Sequence, residues 1–151
     1  AGAKPGRSAT ESTPLVGGDI ADVAAFQLSL ARQRPASISD RSLEALVCNH
    51  GTEASELLRR AAGPGQSATV GGSDTLVAEI THAVEAEMAL HLEDVVLRRT
   101  DLGSGAHPGR AALEAAADAM GTALGWTSEQ RMRELAATTQ VLAQHHALEA
   151  G

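Results

Sequence analysis

The stretch Ser73-Asp74-Thr75-Leu76-Val77-Ala78-Glu79-Ile80-Thr81-His82-Ala83-Val84-Glu85-Ala86-Glu87-Met88 decides the fold class. Leu76, Val77, Ile80, Val84 and Met88 recur every three or four residues, the spacing of one face of an α-helix. Ser73 or Asp74 precedes the first apolar residue and suits the N-cap, so a helix is expected from there with that face buried.

Outward toward the C-terminus, a break is expected near residues 89–91. A fifth helix then covers Leu92 to Thr100, with Leu92, Val95, Val96 and Leu97 inward. Residues 101–109 read as a loop, and Pro108 suits the first turn of a helix that runs to about Leu124. Gly125 ends it, Thr127 with Gln130 forms a capping box, and the last helix runs to about Ala147.

Toward the N-terminus, Thr52 caps a third helix that carries Leu57 and Leu58 and stops at Gly63-Pro64-Gly65. Ser39 or Asp40 caps a second with Leu43, Leu46 and Val47, ended by Asn49-His50-Gly51. Asp19 is expected to cap the first, whose stripe is Ile20, Val23, Ala24, Leu28 and Ala31 and which Pro35 closes. Residues 1–18, rich in Gly, Ser, Thr and Pro, read as an extended lead-in from an upstream domain, and residues 19–151 as the helical domain. No segment alternates apolar and polar residues long enough for a strand. The expected fold is all-α: a compact orthogonal bundle of six to seven short helices with no sheet.

The 151 residues fit one domain, and a hydrophobic content of 43% excludes a disordered composition. Phe26 and Trp126 are the aromatic residues and there is no Tyr, so Leu, Val and Ala must fill the core. A net charge of −7 argues against nucleic acid as a partner and against binding an anionic membrane by charge. The single cysteine, Cys48, cannot form an internal disulfide, which fits a reducing, cytoplasmic setting. No apolar run approaches the roughly 20 residues of a membrane span. The chain has no signal-peptide pattern and no initiator Met, and it reads as cut from something larger.

Candidate chemistry is sparse. Val16-Gly17-Gly18 and Gly71-Gly72 match neither the dinucleotide fingerprint nor a P-loop, and no strand is expected to present one, so no cofactor is assigned to this chain. Glu79-x-x-His82 is half of a di-iron carboxylate motif without a second Glu-x-x-His, so no metal is assigned and solvated or capping histidines are expected. Glu87 and His91 stand four apart but straddle the expected break. His145 and His146 diverge by about 100° on a helix. Cys48 and His50 do not face each other two residues apart, and Cys48 is expected to be buried and inert. Glu93 and Asp94 are expected on a solvated face. Arg98 and Arg99 stand in the last turn of a helix, where cations favour the dipole; the alternative role is a forked contact to another domain.

The block Glu85 to Thr100 closely resembles a block of FAD-dependent glycerol-3-phosphate dehydrogenases, E-x-A-x-T-L-x-D-x-L-x-R-R-T. The matching residues are Glu87, Ala89, Leu92, Asp94, Arg98, Arg99 and Thr100, with His91 in place of the Thr, Val96 at the second Leu and Leu97 beside it. Thr10 to Gly18 is similar to the family's segment leaving its flavin-containing part, and Leu124-Gly125-Trp126 to a leucine-glycine-tryptophan near the last helix. The resemblance covers roughly Thr10 to Ala147. It implies a C-terminal cap domain, inactive alone, whose partner is a missing N-terminal part that binds FAD and glycerol 3-phosphate. That parent passes a hydride from the substrate to the flavin and electrons to quinone or oxygen. It is expected in the cytoplasm, with peripheral association on the inner face of the cell membrane. No catalytic residue is carried over. Thr10 is the substrate-side candidate in the parent, and Arg98, Arg99 and Asp94 are candidates for docking between domains.

A cap predicts an apolar patch where the missing body packs. The other reading is a free-standing helical interaction or regulatory module, which predicts a self-contained surface with an exposed groove or a homodimer interface. Oligomeric state is left open.

Overall fold

The structure, a computed structural model, describes residues 17–149, with side chains up to residue 145. Thr10 and most of the expected lead-in lie outside the described residues. Six helices have eight residues or more: α1 Val23–Ala31, α2 Asp40–His50, α3 Ala54–Ala61, α4 Val77–Glu85, α6 Arg110–Leu124 and α7 Ser128–Glu149. The short α5, Leu92–Asp94, runs directly into a π turn, Val95–Arg99. The described residues contain no strand, only one antiparallel bridge between Thr69 and Leu76, so the all-α fold stands.

Several helix ends fall where the sequence places them. Ser39 caps α2, its Oγ accepting from the Ser42 amide at 3.0 Å. Gly125 ends α6 in the left-handed conformation, at φ +68°. Thr127 and Gln130 cap each other reciprocally.

Others shift, each for a local reason. Asp22, not Asp19, caps α1, because Asp22 is extended and its carboxylate accepts from Ala25 at 3.0 Å. Thr52 does not cap α3; it lies in the 3₁₀ turn Gly51–Glu53 that precedes the helix. α4 begins at Val77 rather than beside Ser73 or Asp74, because the chain before it is held extended. There the Val70 amide donates to Thr75 O at 2.8 Å and the Val77 amide to Ala68 O at 2.9 Å. Pro108 precedes α6 by two residues instead of entering its first turn.

Met88 is the clearest correction to the buried face. α4 ends at Glu85, and Met88 takes φ +59°, which carries its side chain off the helix face to 80% exposure. Cys48 is likewise exposed, because the buried face of α2 uses Ser42, Leu43, Leu46, Val47 and His50.

α4 is the shared wall of two apolar clusters. Leu76 and Ala78 face a cluster built from α1, α2 and α3, including Leu30, Leu46 and Leu57. Ile80 and Ala83 face a second, with Leu92, Val95, Leu113, Met120 and Leu142. The α6 face that joins it is Ala112, Leu113, Ala116, Ala117 and Met120, and small side chains let α4 and α6 approach closely. No described helix is long and apolar enough to cross a membrane.

Candidate functional site

Between the two clusters α4 carries a buried polar seam. Glu79 lies three residues after Leu76 and one before Ile80, so helical spacing places it on the buried side. It is 1% exposed. Its Oε1 accepts from the Leu76 amide at 2.7 Å, satisfying an orphan donor of the first turn of α4. Its Oε2 accepts from Nε2 of His50 at 3.0 Å, tying α4 to the end of α2. His82, one turn along α4 and also buried, stands edge-on to the His50 ring, with centroids 6.2 Å apart and planes at 87°. His82 is therefore buried rather than solvated, whereas Glu79 does cap the start of α4 through the Leu76 amide. The signal was the stripe itself, which places Glu79 between Leu76 and Ile80. His50 was legible only as a helix end, since its partner lies 29 residues away.

The seam is structural chemistry. A buried carboxyl group is tolerable when its oxygens are hydrogen-bonded, and both oxygens of Glu79 are. Among the described residues, no group of three or more His, Cys, Asp or Glu side chains is placed to hold a metal ion.

The second concentration of polar groups is the corner joining α4 to α5, which contains the block read from the sequence. The Ala89 amide donates to Ala83 O at 2.9 Å and buries the Ala89 side chain. Asp94 Oδ2 accepts from the amides of His91 and Leu90, at 3.1 and 3.3 Å. Its other oxygen pairs with Arg98 at 2.6 Å. Arg99 approaches Glu87 at 4.0 Å. The Thr100 hydroxyl donates to Val95 O at 2.8 Å and its amide to the same oxygen at 3.0 Å, closing the π turn. Glu134 of α7 accepts from the Leu92 amide at 3.0 Å and lies 3.1 Å from His91 Nδ1. The structure thus brings Asp94, Arg98 and Arg99 to one corner, each arginine lying beside a carboxylate of its own chain.

Two predictions arise from this corner. Burial pushes the Asp94 carboxyl up, but the His91 and Leu90 amides and the Arg98 guanidinium together outweigh it and hold its pKa below the ordinary range. With the folded pKa below the unfolded one, this contribution is full above about pH 4 and is lost as pH falls through the folded value. Asp94→Ala should cost about 1–2 kcal/mol at pH 7, the scale of a lost N-cap. Urea melts at pH 7 and pH 3 check it: the difference from wild type should shrink at the lower pH.

His91 moves the other way. Its hydrogen bond to Glu134, then the Glu134 charge, raise its pKa above the ordinary imidazole value against a small burial penalty. Stability from this tie is full below roughly pH 6.5 and is lost as pH rises through the raised value. The His91 side chain is 65% exposed, so solvent screening keeps the effect under about 1 kcal/mol. An NMR titration of His91 in wild type and in Glu134→Gln should show the pKa fall in the variant.

No strand leads into a glycine-rich turn among the described residues.

Fold and sites together define an all-helical domain, in which the buried and capping polar groups hold helix to helix. A family model described as the C-terminal domain of alpha-glycerophosphate oxidase matches residues 8–131, and the chain belongs to that family. No curated protein and no solved structure matches the chain.

Proposed function

We propose that this chain is the C-terminal cap of a FAD-dependent enzyme that oxidises glycerol 3-phosphate to dihydroxyacetone phosphate, and that it supplies structure and docking, not catalysis. The observation that carries the reading is the family match over residues 8–131. In this reading FAD and substrate belong to the upstream part of the parent, and electrons leave to quinone or oxygen. Thr10 is the substrate-side candidate in that parent. Arg98 and Arg99 serve docking: Arg98 is 64% exposed and donates through Nη1 to Asp94, so its guanidinium fork stands at the surface, open to a second partner. Asp94 orients Arg98 for that contact.

The test is reconstitution. The upstream flavin part is expressed separately and this chain is added. Glycerol 3-phosphate-dependent dye reduction is followed, and binding is titrated by calorimetry. The expected result is a colourless, inert chain that binds the flavin part and raises its activity or thermal stability. A flavin part that is fully active and stable alone, with no binding, rejects the cap.

A further inference from the structure

α1 is a helix without a second wall. Its nine residues, VAAFQLSLA, include no charged side chain, and apolar residues surround the whole helix. Such a helix belongs in an interior, and nine residues are too few to be stable in water on propensity alone. Yet Leu30 is its one fully buried residue, and Val23 and Leu28 are 51% and 61% exposed. Where α1 leans on α2, a groove of about 450 Å³ opens, floored by Ala24, Leu28, Ala31 and Leu43 and rimmed by Asp40 and Glu44.

The groove's position and charge identify what covers it. The Gly17 carbonyl accepts from the Thr52 amide at 3.1 Å, which fixes where the chain enters the domain. Val23 lies six positions after Gly17, so α1 starts within about 20 Å of that entry. Anything connected upstream meets this face at the millimolar effective concentration of a short linker, roughly. A second copy is disfavoured. In a two-fold contact the same patch meets itself, so a rim carrying Glu44 and Asp40, the latter paired with Arg34 at 2.6 Å, would oppose its own image on a chain of net charge −7. The complementary occupant is an apolar surface with a basic border.

We infer that the outer face of α1, with its groove against α2, is the seat of the parent's upstream flavin-containing part. This rests on the cap reading above. Hydrogen exchange tests it on three samples: the full-length parent, the parent carrying Leu28→Glu, and this 151-residue chain. The expected result is at least tenfold slower exchange of α1 amides in the parent than in this chain. Leu28→Glu returns them to the rate in this chain, while α4 and α6 amides stay protected and report an intact fold. Met88→Glu in the parent, on the other exposed apolar corner, leaves α1 unchanged. If α1 exchanges equally in parent and chain while another segment slows, the domain docks by a different face; the inference fails and the cap reading stands. If no segment slows in the parent, both fail. If α1 is already protected in this chain and loses protection on dilution, a second copy is the occupant and the inference fails.

Discussion

Glu79→Ala should destabilise the domain by about 3–5 kcal/mol, since it leaves two buried groups, the Leu76 amide and the His50 ring, without their acceptor at about 1–3 kcal/mol each and opens a cavity. The Glu79 carboxylate holds two elements at once, the Leu76 amide at the start of α4 and His50 at the end of α2, from a position 1% exposed. Truncation leaves the amide without its acceptor and the His50 ring facing a void between the two apolar clusters. Glu79→Gln should cost less. Its amide oxygen can still accept from Leu76, and the His50 ring can take the tautomer that accepts from the new NH₂. Urea titration of wild type and both variants checks the order. For a domain of this size the alanine variant should also melt roughly 6–20 °C lower. An alanine variant within 1 kcal/mol of wild type would mean that water replaces the carboxylate and the seam is not closed.

Gly51→Ala should cost nearly as much, about 3 kcal/mol, for a backbone reason. Gly51 has φ +54° and ψ −127°, a combination side-chain-bearing residues rarely adopt, and strain of this kind costs about 1–3 kcal/mol. A Cβ there would also stand 1.8 Å from the Gly17 carbonyl oxygen, so the entering chain must move off α2. The Thr52 amide then loses its bond to that oxygen. Thermal melts measure the loss. Exchange of the Thr52 amide, accelerated beyond the global change, shows that the entry contact has opened. Unaltered Thr52 protection would mean that Gly17 follows the new side chain and the clash is relieved elsewhere.

The sequence read the helices well because their signals are local. The i, i+3, i+4 stripes, Ser39, Thr127 with Gln130, Gly51 and Gly125 all act within one turn of the chain. The boundaries that moved are set by non-local contacts. Leu76 delays α4 because Thr69, in a different segment, bridges to it. Met88 left the expected face because the chain reverses at φ +59°, and the tie between the Ala89 amide and Ala83 makes that turn.

The same division runs through the candidate site. The order of residues in the block from Glu87 to Thr100 sufficed for the resemblance, and the family match agrees with it. What those residues do was not legible: Asp94 is a cap, and Glu134, forty residues further on, closes the other side of the corner. The His50–Glu79 pair was missed because burial, not spacing, distinguishes a paired carboxylate from a solvated one. By itself, then, the sequence determined the all-α class, the starts of α2, α5 and α7, most helix stops, and the family, since these follow from short-range backbone and side-chain preferences. Only the tertiary structure decided which carboxylates are buried, which arginines are already paired, and that α1 keeps an uncovered apolar face, because each depends on groups distant in the chain meeting in space.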